Sequence, residues 1–306
     1  MRAYIIGNVA IDETIAVSEL PVIGVSILGN AGGSDLGGKG TNQAVVMARC
    51  GVPTTLVAPV GRDARADTIR HYLANEPLQS ELIEMENASS DVSIIFRLPS
   101  GENAIVTTTE SAQSLSLSHV RRTLSAAGSG DFIMLQGNLS DRTTRDILEH
   151  ARAIGMVTAF NPSPVRTYFS DLWGLIDIAF LNKGEAQALT GTTGRDAAEY
   201  LLSRGLREIV LTLGGEGATL VNRHDSIEVP AQVCDVVDTT GAGDTFMAAA
   251  LASCALRGQQ LDRLAIEHAV AAAAIAVSRH GTRKAFPTIS ELEAILRSSA
   301  RHERAS

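Results

Sequence analysis

The chain is poor in the residues that mark a special environment. Its 306 residues include three cysteines, one tryptophan and 4% aromatic residues in all. Cys50, Cys234 and Cys254 are odd in number and scattered. They suit neither a disulfide framework nor a metal site, so free thiols in a reducing cytosol are expected. The histidines show no i, i+4 pair that would hold zinc on a helix face. No run of about 20 apolar residues occurs, so nothing is expected to span a membrane. The longest, AVAAAAIAVS at 269–278, is short and alanine-rich and reads as a buried helix. The N-terminus goes directly into AYIIGNVAID at Ala3, with no basic segment beyond Arg2 and no cleavage site, so a signal peptide is not expected and a cytoplasmic location is. A formal net charge of −8 gives no basic footprint for nucleic acid, and a single Trp173 gives no stacking platform for bases.

What is present is a hydrophobic fraction of 45%, enough for a sizeable core, in a regular alternation of patterns. AYIIGNV (3–9), TTLVAPVG (54–61), DFIMLQGN (131–138), MVTAFNP (156–162), IDIAFLN (176–182) and EIVLTLG (208–214) read as strands. Helical patterns, mostly closed by glycine, lie between them. Apolar strands alternating with helices predict a mostly parallel sheet buried on both faces, an α/β three-layer fold. Two stretches break the alternation. Residues 12–36 and 89–108 have strand-like period 2 and contain no helix, and LPSGENA (98–104) reads as a hairpin turn. Together they predict a small β-sheet projecting from a core made of 1–11, 37–88 and 109–306. Such a sheet cannot bury both faces alone, so it is expected to act as a lid over a site and as a homodimer surface.

Two glycine clusters carry the chemistry. In VVDTTGAGDTFMAAALASCAL (236–256), Gly241, Ala242 and Gly243 run into Asp244 and then into three turns of small apolar residues. A helix beginning here would present unpaired backbone N–H groups and positive partial charge at its mouth. Glycines let an anion approach that backbone closely. The result is an anion hole with a carboxylate beside it, placed to take a proton from a hydroxyl while the hole holds phosphoryl charge. The plainer reading is an ordinary acidic residue in a first turn. The second cluster, DLGGKGTNQAVVMARCG (35–51), is neither a Walker A loop nor a good GxGxxG fingerprint. It gathers Gly37, Gly38, Lys39 and Asn42 at one helix start. Lysine donates, and asparagine both donates and accepts, which suits a polyhydroxylated ligand.

These two clusters, in this order, resemble the paired signatures of the PfkB (ribokinase-like) carbohydrate kinase family, most closely its ribokinase branch. Gly37, Gly38, Asn42, Ala44, Gly51 and Gly61 fit the first signature and DTTGAGDTFMAAAL (238–251) the second. GNVAID, NPSPVR (161–166), LNKGEAQALTG (181–191), LTLGGEGA (211–218) and AAAAIAVSRHGT (271–282) extend the likeness over nearly the whole chain. The resemblance implies an ATP-dependent kinase in which Asp244 is the base, with Gly241, Ala242 and Gly243 as the anion hole. It implies that Asp12, Gly38, Lys39 and Asn42 hold sugar hydroxyls. Asn182 and Glu185 match an NxxE element associated with nucleotide phosphates and, indirectly, Mg2+, although Glu185 also reads as a first-turn acid. Thr212, Gly214 and Gly217 match the nucleotide-lining stretch. Asp238, Thr240, Arg279 and Gly281 match the ligands of a monovalent cation, potassium, several of them through backbone carbonyls.

Four positions depart from the family pattern. Ala10 stands where an asparagine is usual, Asn138 where a glutamate contacts the sugar, Ala285 where a serine lies near the cation, and Val270 where an asparagine lies near the adenine. Changing hydrogen-bonding groups changes which substrate leaves them unpaired. Ribose is the first expectation. A deoxypentose, a ketohexose or a nucleoside stay open, the last with Ile23, Val25, Ile27 and Phe96 as a wall for the base. A non-catalytic sugar- or nucleotide-binding regulator is the alternative of another class.

Overall fold

The computed structural model describes residues 1–99 and 103–298. The first half of the chain forms β1 (Ala3–Ile6), β2 (Ala10–Val17), β3 (Gly29–Gly37), α1 (Lys39–Arg49), β4 (Thr54–Val60), α2 (Ala64–Leu73) and β5 (Gln79–Glu84). It continues through β6 (Asp91–Arg97), β7 (Asn103–Thr107), α3 (Glu110–Ser114), α4 (Leu117–Leu124), β8 (Phe132–Gln136) and α5 (Asp141–Ala153). The second half forms β9 (Val157–Asn161), β10 (Ile178–Asn182), α6 (Lys183–Thr190), α7 (Gly194–Ser203) and β11 (Glu208–Thr212). It ends with β12 (Ala218–Asn222), β13 (Ser226–Val229), α8 (Ala242–Arg257), α9 (Arg263–Val277) and α10 (Ile289–Leu296). Among the described residues no helix is long and apolar enough to cross a membrane.

Nine strands form one sheet in the order β13-β12-β11-β10-β9-β8-β1-β4-β5. Pairing is parallel from β11 to β5, and β12 and β13 add an antiparallel edge. All six expected core strands form, within a residue or two at their ends except for a shorter β1. Three more lie where the pattern predicts none. β5, β12 and β13 sit at or next to the sheet edges, where half-exposed sequences such as QSELIE lack a continuous apolar run. Helices cover both faces, so two apolar layers form. One holds α1, α8 and α9 and contains Val45, Met47, Phe246 and Leu251. The other contains Leu148, Phe160, Phe169 and Trp173, whose rings meet edge to face.

The second sheet has four strands in the order β3-β2-β6-β7. β2 pairs antiparallel with β3 and parallel with β6, and β6 pairs antiparallel with β7. Its hydrogen bonding begins at Ala10 and ends at Gly37, taking in Ala10, Ile11 and Gly37 from the segments flanking the expected boundary. Of the expected LPSGENA turn, Ser100–Glu102 lie outside the described residues.

The sheet order reverses around β1, which lies between β8 and β4. In open parallel sheets the space beyond the strand C-termini at such a point is where ligands bind. Asn138 follows β8, and Asn161, Asn182 and Thr212 end β9, β10 and β11 on that same rim. Small residues carry α8 into the middle of its layer: Asp244 through Cys254 are all buried.

Candidate active site

The N-terminus of α8 stands between two clefts, each of about 700 Å3 (≈ 700 and ≈ 720 Å3). The first is lined by polar groups from both sheets, including Asp12, Gly38, Lys39, Asn42, Asn138 and Asp244. The second is largely apolar, with Val233, Val236, Val270, Ala273 and Val277 facing Gly214, Gly215 and Gly217. Asn182, Thr212, Thr239 and Gly243 line both, so the two are continuous past the α8 terminus.

Gly241 is the N-cap of α8 and takes a left-handed conformation, φ 75°. A Cβ there would also meet Phe286 at 2.6 Å, so the turn requires glycine twice over. At Gly243 a Cβ would meet nothing within 4 Å, which leaves the backbone open to the cleft. Asp244 lies one step on, 4% exposed. Its carboxylate is clamped: Asn42 Nδ2 donates to Oδ2 at 2.9 Å and Gln43 Nε2 to Oδ1 at 2.9 Å. Gln43 is in turn held by Gln136, whose Nε2 donates to Gln43 Oε1 at 2.7 Å. Both glutamines are fully buried. The glycine clusters do not reveal this relay. Its one trace in the sequence is a polar residue closing the otherwise apolar strand FIMLQ.

Asp12 projects from β2 and is 6% exposed. Its place depends on Gly37 across the β2–β3 ladder, where a Cβ would fall 2.1 Å from the carboxylate. Burial pushes its carboxyl up to about 6; hydrogen bonds from Thr282 and Ser93 oppose this, and the charges of Asp35 and Asp244 add to it. Thr282 Oγ1 donates to Asp12 Oδ2 at 2.8 Å. Lys39 opens α1 after Gly38, φ 92°, and makes no ion pair among the described residues. Among the described residues, Asn42 Oδ1 and Asn138 Oδ1 are buried acceptors without a partner. Unpaired buried acceptors are costly, and here they face a cleft where a ligand's hydroxyls can satisfy them.

Where the two clefts meet, Asn182 and Glu185 form a reciprocal capping box at α6: Glu185 N donates to Asn182 Oδ1 at 2.8 Å and Asn182 N to Glu185 Oε2 at 2.9 Å. The NxxE spacing therefore has a structural task of its own, while both residues still line the polar cleft. Thr212, Gly214 and Gly217 lie along the second cleft. A Cβ at Gly217 would fall 2.1 Å from the Val229 carbonyl, so the loop cannot carry a side chain there.

Asp238, Thr240 and Gly281 also come together. Thr240 N donates to Asp238 Oδ1 at 3.0 Å and Gly281 N to Oδ2 at 3.3 Å. Burial raises the Asp238 carboxyl, but these donors, with Thr240 and Asn103 side chains, outweigh it and hold it below its ordinary value. The Arg279 side chain points elsewhere, to Glu291 at 2.5 Å. Ala285 is fully buried and offers no hydroxyl. Ile23, Val25, Ile27 and Phe96 do not line the polar cleft; the small sheet contributes Ser93, Ile95, Asn103, Ile105 and Thr107 instead. Among the described residues no group of three or more His, Cys, Asp or Glu could hold a metal.

A carboxylate clamped beside an open helix terminus, between a polar and an apolar cleft, has the groups that phosphoryl transfer to an alcohol requires. The model of the family described as pfkB family carbohydrate kinase matches residues 4–289. The chain belongs to this family. Among pfkB relatives, the ribokinase of Staphylococcus aureus (strain COL) is 27% identical over 304 residues, 96% of this chain and 99% of that protein. The deoxyribokinase of Salmonella typhi is also 27% identical, over 97% of this chain and 99% of its own length. The structure of ribokinase from Giardia lamblia superposes with a TM-score of 0.87 at 25% identity, covering 96% of this chain and 98% of that one. The ribokinase-like fold expected from the pfkB signatures is thus the fold observed.

Proposed function

We propose that this pfkB kinase transfers the γ-phosphate of ATP to the hydroxymethyl group of a ribose-like sugar. The observation that carries the reading is Asp244, fixed by two amide donors at the junction of the two clefts. In this reading the sugar lies in the polar cleft, with hydroxyls on Asp12, Asn42 and Asn138, the Gly38 backbone and Lys39. Asp244 takes the proton of the attacking hydroxyl. The backbone N–H groups of Gly241, Ala242 and Gly243 receive the charge gathering on the phosphoryl group. The apolar second cleft fits an adenine among Val233, Val236, Val270 and Val277, with the phosphates running along Gly214–Gly217 toward α8. Mg2+ bound to the nucleotide would neutralise phosphate charge; lacking a protein carboxylate cluster, it would be held by phosphates and water, with Asn182 and Glu185 within the same cleft. A monovalent cation would be held by carbonyls of the Asp238–Thr240 and Arg279–Gly281 segments, because the Arg279 side chain is taken by Glu291.

The acceptor is a pentose in this reading. Ala10 is fully buried and has no hydrogen-bonding side chain where the family usually has one. Ala10 itself does not line the polar cleft, so ribose stays the first reading and a deoxypentose an outcome of the test. Ile95 and Ile105 on the cleft wall support a nucleoside as the second reading. A regulator that only binds sugar or nucleotide has no use for a clamped base beside an anion hole. The test is coupled ADP release with Mg2+ and ATP across ribose, deoxyribose, fructose, phosphosugars and nucleosides, with and without potassium. One preferred acceptor is expected. Asp244→Asn is expected to lose about 10²–10⁴-fold in turnover while sugar binding, measured by calorimetry, persists. Turnover within a few-fold of wild type would overturn the mechanism.

We also read the small sheet as the lid and as the contact with a second copy. Leu20, Val22, Ile23, Val25 and Leu28 stand exposed on its β2–β3 connection, with Val106 exposed on β7. Apolar side chains gathered in this way mark an interaction surface.

A further inference from the structure

We propose that Asn103, on the small sheet, is the positioning residue through which lid closure organises the anion hole. The proposal rests on the kinase reading above and deepens it. Asn103 is the first residue of β7 and pairs with Arg97 of β6, so the sheet fixes its backbone. Its side chain crosses to the core. Nδ2 donates to Asp238 Oδ1 at 3.1 Å and to Thr240 Oγ1 at 3.0 Å, groups 135 and 137 residues away in sequence. Both protons of one amide are thus spent on a single short loop. That loop leads directly into Gly241, the left-handed N-cap of α8, and so into the N–H groups beside Asp244.

The same loop is also held from inside the core, where Val237 N and Asp238 N donate to the Val277 carbonyl at 2.8 and 3.1 Å. Asp238 and Thr240 bond each other, and Gly281 N reaches Asp238 at 3.3 Å. The Asn103 amide adds the cross-link that depends on where the small sheet lies. Its other end looks toward the acceptor: Asn103 lines the polar cleft, and its Oδ1 is buried with no partner. A hydroxyl of a bound acceptor can donate to Oδ1 while Nδ2 holds the loop. One side chain then touches the small sheet, the acceptor cleft and the anion-hole loop. Closure over an acceptor would set the N–H groups of Gly241–Gly243, and in its absence the loop would be free to relax, so ATP would meet a formed hole chiefly when a sugar is bound.

Two variants test this. Asn103→Ala removes the amide; Asn103→Asp keeps its shape but puts a carboxylate against Asp238. Amide hydrogen exchange of residues 238–243 is read in the protein without ligands and requires no turnover. Both variants are expected to exchange at least about tenfold faster there than wild type, with α9 and β8 unchanged. In the presence of the preferred sugar, both are expected to lose about tenfold in kcat with little change in the sugar KM, and to weaken the rise in ATP affinity that sugar causes. Unchanged exchange at 238–243 in both variants would overturn the proposal, whatever the activity. If no acceptor is turned over by wild type, the kinase reading fails, and the exchange measurement still decides whether Asn103 holds the loop. A loss confined to the sugar KM, with exchange unchanged, would make Asn103 an acceptor contact alone.

Discussion

At the scale of single residues, Asp12 shows how burial and chemistry meet. A carboxyl on a surface strand would be ionised over the whole physiological range. Here burial, with Asp35 and Asp244 nearby, raises it from 3.8 to about 6. Ionised, it can accept two sugar hydroxyls beyond the bond from Thr282; protonated, it loses acceptor capacity. In the proposed function the sugar KM should therefore fall several-fold as pH rises from about 5 to about 7.5. Asp12→Asn should flatten that dependence, which steady-state kinetics across the range will show; a profile identical in both proteins would remove Asp12 from the sugar site. The linkage sign for folding is the opposite one. A carboxyl whose folded pKa is raised holds its proton more tightly when folded, so its contribution to stability is greatest in acid and falls between about pH 4 and pH 6. Asp91, fully buried and also pushed up to about 6 by burial against hydrogen bonds from Ser111, Ala112 and Thr108, adds to the same slope. Lys39, Asn42 and Asp244 were legible in the sequence as candidates because two glycine-rich helix starts mark them, and Asp12 only through the resemblance to the family. Asn103 and Thr282 were not, since neither local pattern nor spacing tells which loop a strand-borne amide or hydroxyl will reach.

At the scale of elements, the hydrogen-bonded relay around Asp244 joins three pieces of chain that are remote in sequence. Gln136 closes β8, Gln43 lies in the first turns of α1, and Asp244 lies in the first turn of α8. Each amide has one orientation consistent with its partners: Gln43 Nε2 must face Asp244 because its Oε1 accepts from Gln136. Gln43→Leu would leave one carboxylate oxygen without its donor and strand the Gln136 amide. We expect about tenfold lower kcat, with the ATP KM unmoved, and a fall in stability of about 1–3 kcal/mol from the unpaired buried group. Stopped assays and thermal melts together separate the two effects. An unchanged kcat in a folded protein would show that Asn42 alone positions the carboxylate. The core strands and the helices between them were readable from apolar runs and glycine stops. The strands β5, β12 and β13, at or next to the sheet edges, were not, because strands there need not be continuously apolar.

At the scale of the whole molecule, the nine-stranded sheet puts the ends of β8, β9, β10 and β11 on one rim and α8 across it, while the four-stranded sheet stands over the polar cleft. The exposed apolar side chains of that small sheet lead us to expect a dimer. Sedimentation equilibrium of the full chain should give twice its 32.2 kDa mass. Ile23→Asp with Leu28→Asp should shift it to the monomer without unfolding; a wild-type protein that stays monomeric at micromolar concentration would remove that interface. The sequence by itself determined the α/β class and the two glycine-rich helix starts, because hydrophobic period and glycine position are local properties of the chain, and its paired motifs pointed to the pfkB family. Only the tertiary structure decided which groups meet. The Gln136–Gln43–Asp244 relay, the Thr282–Asp12 bond and the reach of Asn103 to Asp238 join residues tens to hundreds of positions apart, and such pairings exist only once strand order and helix packing have fixed the distances between them.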